Sequence, residues 1–229
     1  MKIHGLQKMT LLDFPGLVAC TVFLGGCDLR CPFCHNAELL DMNVLGIMDE
    51  KELYAFLETR RGKLDGVAVT GGEPTLRKDL PELLRTIKDM GFKVKLDTTG
   101  NHPDMLKTVV GEGLVDYVAM DVKNSKERYA ETVGLTGFDI SRVDESISFL
   151  LRGDVEYEFR TTVVKQFHDR DSFIGIAEWI KGAEKYYLQN FVDRDTVPFA
   201  GLEARSENEL KEYAEIVKPY VGVVELRGV

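Results

Sequence analysis

Apolar and β-branched residues along this 229-residue chain gather into seven short runs, at 17–24, 66–70, 93–97, 117–122, 155–164, 186–192 and 221–226. Each has the length of a strand, and the stretches between them carry helical periodicity. Asp49-x-x-Glu52 and Ser206-x-x-Glu209 have the capping-box pattern that opens a helix, and Gly91 stands where a C′ glycine would close a helix over 77–90. Repeated βα units predict an α/β fold with a parallel sheet and outer helices. No linker, low-complexity stretch or internal repeat breaks the rhythm, and the length favours one domain over 1–229.

Two of the runs are not apolar on both faces, as a parallel strand covered by helices on both sides should be. Lys93, Lys95 and Asp97 share one face against Val94 and Leu96. Glu156, Glu158, Arg160 and Thr162 oppose Val155, Tyr157, Phe159 and Thr161. A one-sided polar face suits an exposed edge or a barrel lumen lined by charged, ligand-binding groups. Six βα units and a terminal strand fall short of the eight of a full barrel. The expectation is a partial, laterally open (β/α)6 TIM-type barrel with a short C-terminal helix–strand extension.

In such architectures chemistry sits at the C-terminal strand ends. There this chain places a cysteine loop, Thr70-Gly-Gly-Glu-Pro74, Asp97-Thr-Thr-Gly100, Asp121-Val-Lys123 and Arg160. Each has two readings. Gly71 and Gly72 form a plain turn or let backbone approach a ligand closely, with Glu73 as an acceptor for an ammonium group. Asp97 and Asp121 are turn or N-cap residues, or ligand-binding carboxylates. Lys123 is a solvated loop lysine or a site cation. Arg160 pairs with a neighbouring acid such as Glu158, or grips a ligand carboxylate in bidentate fashion. His102, His168 and Trp179 have no motif context.

The most specific signal is Cys27-Asp-Leu-Arg-Cys31-Pro-Phe-Cys34, which holds three of the four cysteines. Three clustered thiolates suit an iron–sulfur cluster, and a cubane cluster normally takes four protein ligands. One iron is thereby left open. Zinc would fill its tetrahedron, and no fourth ligand stands at zinc-finger spacing. Cys20 lies within a strand-like run, roughly 13 Å from its end at about 3.3 Å per residue, and reads as a core thiol. His35 adjoins Cys34, and adjacent residues rarely converge on one metal. Clustered thiols point to a reducing compartment, and neither a signal peptide nor a membrane-length apolar run is seen, so a cytoplasmic protein is expected. The net charge of −9 argues against nucleic acid as the main partner.

The CxxxCxxC triplet, with an aromatic residue before its third cysteine, resembles the radical S-adenosylmethionine (radical SAM) superfamily. The longer pattern MTLLDFPG…GCDLRCPFCHN resembles activating enzymes of glycyl radical enzymes, most closely those of anaerobic ribonucleoside-triphosphate reductase. The resemblance spans most of the chain. It implies a [4Fe–4S] cluster on Cys27, Cys31 and Cys34, with S-adenosylmethionine chelating the open iron. Reductive cleavage would then give a 5′-deoxyadenosyl radical that takes hydrogen from a glycine Cα of a partner enzyme. It also implies methionyl-amino binding by Gly71-Gly72-Glu73, adenine contact by Phe33 and His35, and Lys123 near S-adenosylmethionine. Asp97, Thr98, the Met120 carbonyl and Asp121 would hold a monovalent cation. An external donor such as flavodoxin or ferredoxin would supply the electron. Thr99 departs from the asparagine of some relatives. No thiols remain for auxiliary clusters.

Overall fold

The computed structural model describes residues 1–228. Its strands and helices run β1 (Lys2–Ile3), β2 (Gly5–Thr10), β3 (Ala19–Leu24), β4 (Met48–Asp49), α1 (Glu50–Glu58), β5 (Gly66–Gly71), α2 (Leu80–Asp89), β6 (Lys93–Thr98), α3 (Pro103–Gly111), β7 (Tyr117–Asp121), α4 (Tyr129–Thr132), α5 (Ser141–Leu150), β8 (Glu156–Val163), α6 (Arg170–Trp179), β9 (Lys185–Asn190), α7 (Glu207–Val217) and β10 (Val223–Arg227). The main sheet has the order β10-β9-β8-β7-β6-β5-β3-β2. All seven strands from β3 to β10 in this sheet pair in parallel, and β2 adds to β3 antiparallel with an irregularity between Gln7 and Thr10. No pairing joins β2 to β10 among the described residues, so the barrel stays open on one side.

All seven apolar runs are strands, and the two polar faces line a lumen. Lys95 is 2% exposed and Glu158 0%. Charged residues this deep persist only when paired. Lys95 pairs with Asp97, and Glu158 accepts a bidentate grip from Arg227 Nη1 and Nη2 at 2.7 and 2.9 Å. Tyr117 Oη donates to the same carboxylate at 2.9 Å. The outer helices pack apolar stripes onto the sheet, as Leu80, Leu83, Leu84 and Ile87 of α2 do. Each such side chain contributes about 1.5–3 kcal/mol when fully buried.

Both expected capping boxes form, at Asp49 and Ser206. Gly91 has φ +89° and donates to the Lys88 carbonyl at 2.8 Å, which closes α2. That helix starts at Leu80 rather than 77, because 74–76 forms a 3-10 turn capped by Glu73 and Arg77 is extended. β2 carries no apolar alternation to mark it in the sequence, since its Gln7–Met9 are exposed. The capping box of α6 departs from the usual pattern, because a serine, Ser172, takes the place of Glu or Gln opposite Asp169.

Candidate active site

The cysteine loop leaves β3 through Gly25 and Gly26, and neighbouring backbone pins it on three sides. Gly26 N donates to Leu39 O at 2.8 Å and Cys27 N to Leu40 O at 3.2 Å. Gly72 N donates to Leu24 O at 2.8 Å and Glu73 N to Gly26 O at 2.7 Å. Arg30 N donates to Val133 O at 2.9 Å. These contacts explain the glycine pair. Gly71 has φ +128°, and a Cβ there would lie 2.2 Å from Leu24 O; one on Gly72 would lie 2.2 Å from Gly26 O. The close approach is to the cysteine loop itself.

Glu73 stands apart from the cavity wall. It is 1% exposed and its carboxylate faces away from the cavity. Oε1 accepts from Thr75 N at 3.0 Å, Thr75 Oγ1 at 2.5 Å and Thr98 Oγ1 at 2.9 Å. Oε2 accepts from Thr99 N and Thr99 Oγ1, both at 2.6 Å. With five donors on its two oxygens, the side chain anchors two loops to each other.

A cavity of about 320 Å³ opens beside the cysteine loop, at the small end of the range for ligand sites. Cys27, Cys31, Cys34, Phe33, His35, Gly71, Gly72, Asp97, Thr98, Asp121, Lys123 and Arg160 all line it. Met120 is wholly buried beneath it. Thus five strand ends do converge. Burial pushes the Cys27 thiol up to about 12, with nearby Glu73 adding to the effect, and the Cys31 thiol up to about 11. Cys34 is raised by burial as well. Metal binding must therefore displace protons from all three. Cys20, 0% exposed in mid-β3, is a core thiol pushed by burial to about 12.

Across the cavity lies a ladder of charge. Arg160 Nε donates to Asp121 Oδ1 at 2.5 Å, and Nη2 donates to Asp97 Oδ2 at 3.1 Å. Lys123 Nζ meets Asp121 Oδ2 at 2.9 Å, while Lys95 holds the other oxygen of Asp97. Arg160 thus bridges two aspartates instead of pairing with Glu158, which Arg227 occupies. Burial opposes ionisation of Asp121, but Arg160 and Lys123 outweigh it and hold the carboxyl well below the usual carboxylate range. Asp97 is lowered in the same way by Arg160 and Lys95 against its burial. Neither aspartate caps a helix. Three cations, Lys95, Lys123 and Arg160, thus pair with these two carboxylates, and of the three only Lys123 and Arg160 line the cavity.

Phe33 is 3% exposed and packs against Phe167 at 5.7 Å and His168 at 6.4 Å between ring centroids. His35 stacks on Phe191 at 5.5 Å, and its Nε2 lies 2.7 Å from Val192 O. Asn36 Nδ2 donates to Gly71 O at 3.0 Å. On the open side of the barrel the cavity reaches Gln7, Asp13, Thr21 and Gln189. Asp13 is turned inward by Thr21 Oγ1, which donates to Oδ2 at 2.5 Å, and Phe14 beside it is buried against Tyr117. Of the Asp-Phe-Pro-Gly element, Asp13 alone is on the cavity wall, while Phe14 anchors it from outside.

His168 gains a structural role that the sequence reading did not assign. Its Nδ1 accepts from Val164 N at 3.1 Å, and Nε2 lies 2.8 Å from Lys123 O, beneath the charge ladder. Burial lowers its pKa from 6.5 to about 4. Between those values the unfolded chain binds more protons than the folded one, so this contribution is complete above pH 6.5 and lost as pH falls toward 4. The difference is about 3 kcal/mol. Urea unfolding of the metal-free protein at pH 7.5 and 4.5 should show most of that loss, and His168→Gln should flatten it.

The donor set fits an iron–sulfur cluster with an open position: three cysteines line one cavity and no fourth thiol reaches it. The Arg160 guanidinium and Lys123 ammonium on the cavity wall suit the carboxylate of an amino-acid group beside that position. Residues 21–180 match the profile of the Radical SAM superfamily. The chain belongs to the radical SAM superfamily. It is an enzyme of that family, whose cofactors are a [4Fe–4S] cluster and S-adenosylmethionine. A Methanocaldococcus jannaschii protein provisionally named as a glycyl-radical enzyme activating enzyme is 33% identical over 233 residues, covering 99% of this chain and 96% of the relative. Pyruvate formate-lyase 1-activating enzyme of Escherichia coli K12 is 28% identical over 179 residues, 74% of this chain and 70% of that protein. Streptococcus suis SuiB, solved with its precursor peptide SuiA, superposes with a TM-score of 0.70 at 14% identity, over 91% of this radical SAM chain and 48% of SuiB. That likeness is one of fold. None of the described helices is long and apolar enough to cross a membrane.

Proposed function

We propose that this radical SAM enzyme installs a glycyl radical on a partner enzyme, and that the partner is an anaerobic ribonucleoside-triphosphate reductase. The observation that carries the reading is the unclosed side of the barrel between β2 and β10, with the cavity reaching it through Gln7 and Gln189. A glycine-bearing loop of another protein can enter there and approach the cysteines without unfolding this chain. The relatives named for glycyl radical activation support the class. The MTLLDFPG element, which places Asp13 on the wall of that opening, supports the reductase as target.

Cys27, Cys31 and Cys34 would hold the cluster. When bound, the cluster and S-adenosylmethionine supply reductive cleavage of the sulfonium and a 5′-deoxyadenosyl radical. The chain's own residues bind and orient. Arg160 and Lys123 present positive charge to the methionyl carboxylate, backbone at Gly71 and Gly72 edges the amino group, and Phe33 and His35 offer an aromatic wall for adenine. Asp97, Thr98, the Met120 carbonyl and Asp121 would take a monovalent cation once Arg160 and Lys123 turn toward the ligand. The electron comes from an external flavodoxin- or ferredoxin-type donor.

The test is anaerobic incubation of reconstituted, reduced protein with S-adenosylmethionine and the cognate reductase. The expected result is a glycyl-radical EPR doublet, followed by ribonucleotide reduction. A doublet only with another glycyl radical enzyme would reject the target and keep the class. Radical transfer to a small molecule, with no protein acceptor, would reject the class.

A further inference from the structure

Two neutral amides stand on opposite sides of the barrel opening. Gln7 belongs to β2, at one edge of the sheet, and Gln189 to β9, beside the other edge strand, β10. Both side chains line the cavity where it reaches the open side. Register puts them there. Gln7 pairs with Thr21 and Gln189 with Thr162, and both threonines line the same cavity. Neither glutamine side chain is committed to the fold. Gln7 Nε2 makes one long contact, 3.3 Å to Met9 O in its own strand, and its Oε1 bonds no described residue. The Gln189 side chain lines the cavity and hydrogen-bonds none of the described residues. Asp13 on the same side differs, since Thr21 Oγ1 already donates to its Oδ2.

The charged side chains around the cysteines are likewise engaged. Asp97, Asp121, Lys123 and Arg160 bond one another. Free donors and acceptors are therefore found at the open side, on uncharged groups. A glutamine amide carries both an NH2 donor and a carbonyl acceptor. It can pair with either main-chain group of a peptide, as a neighbouring strand would. The acceptor that the proposed function requires is a glycine, which presents no side chain. Hydrogen bonds can read it only through main-chain N–H and C=O groups, its own and its neighbours'. A segment entering the cavity gives up water at those groups, and each one left unpaired weakens binding by roughly tenfold.

We propose that Gln7 and Gln189 are specificity-determining residues that hydrogen-bond main-chain groups on the two sides of the acceptor glycine and so hold its Cα toward the cysteine loop. This rests on the reading that the chain acts on a glycine of a partner enzyme, and it names what is read there: backbone, rather than flanking side chains.

The experiment uses the reconstituted full chain and the glycyl radical enzyme that gives the EPR doublet with the parent, with anaerobic ribonucleoside-triphosphate reductase tried first. Gln7→Leu and Gln189→Leu keep roughly the side-chain volume and remove the amide. Each should raise the half-saturating acceptor concentration for radical formation about tenfold. The dissociation constant of the two proteins, measured without reductant, should rise in step. Affinity for S-adenosylmethionine should stay near the parent value. Lys8→Ala, next along β2 and off the cavity wall, should bind the acceptor as the parent does. Parent-like acceptor affinity in the leucine variants overturns the proposal. An equal loss of S-adenosylmethionine affinity, or an equal effect of Lys8→Ala, overturns it as well. If one leucine variant does not fold, the other decides by the same comparison. A parent that passes the radical to no protein overturns the functional reading and the proposal with it, whereas a parent that does so alongside parent-like variants overturns the proposal alone.

Discussion

Alanine at Cys27, Cys31 or Cys34 will reduce the iron bound after anaerobic reconstitution from about four per chain to background. Alanine at Cys20 will leave it unchanged. The difference follows from placement, since the first three side chains line one cavity and Cys20 is sealed inside the sheet, paired in register with Val67. Losing the Cys20 sulfur costs about 1 kcal/mol of packing, which lowers the denaturation midpoint without touching the iron. The triplet variants should still fold, because the cysteine loop is held by backbone contacts from Leu39, Leu40, Gly72 and Glu73. Iron content, the visible cluster absorption and a thermal melt separate these outcomes. Loss of iron in Cys20→Ala would mean a fourth protein ligand, and the open coordination position would disappear with it.

The second large effect is expected at Asp121. Asp121→Ala removes the carboxylate that accepts from both Arg160 and Lys123, leaving Lys123 without its acid and Arg160 to share Asp97 with Lys95. Breaking one partner out of a buried charge network costs about 3 kcal/mol here, the low end of the usual range because the cavity admits water. The carboxyl is held below its unfolded value, so its contribution is fully present above the ordinary carboxylate range and is lost only as pH falls through it. At neutral pH the variant therefore bears the whole cost. S-adenosylmethionine binding should weaken roughly tenfold or more, equivalent to about 1.4 kcal/mol, with iron content unchanged. Turnover of the parent protein should depend on which monovalent salt is present at constant ionic strength. Equilibrium binding of S-adenosylmethionine to Asp121→Ala is the deciding measurement. Unimpaired binding would reduce the two aspartates to internal partners of Arg160.

Much of this site was legible because local chemistry and periodicity coincide. The cysteine spacing alone indicates an open-iron cluster, and alternating charge on 93–97 and 156–162 indicates a lumen, because a strand's faces follow directly from its period of two. The positions of Asp97, Asp121 and Arg160 at strand ends follow from the same count. Helix ends were legible where the capping residues were the usual ones, at Asp49, Ser206 and Gly91, and not where Ser172 stood in for a glutamate.

What the sequence determined by itself was therefore the set of strands, the faces they present and the residue types gathered at one mouth. Only the tertiary structure decided who partners whom. Glu73 follows a glycine pair at a strand end, and five donors from Thr75, Thr98 and Thr99 make it a strut between loops. Arg160 reaches Asp121 and Asp97 because the β6–β7–β8 register sets those ends side by side, while Arg227, 69 residues from Glu158, takes the acid nearest in sequence. Gly72 is glycine because another backbone passes 2.2 Å from where its Cβ would be. Asp28 and His102, with no motif to mark them, meet only when two loops close on each other. Periodicity is local, set by dihedral angles within one segment. A hydrogen bond or ion pair between strand ends depends on register and on burial, and both exist only once the sheet has assembled.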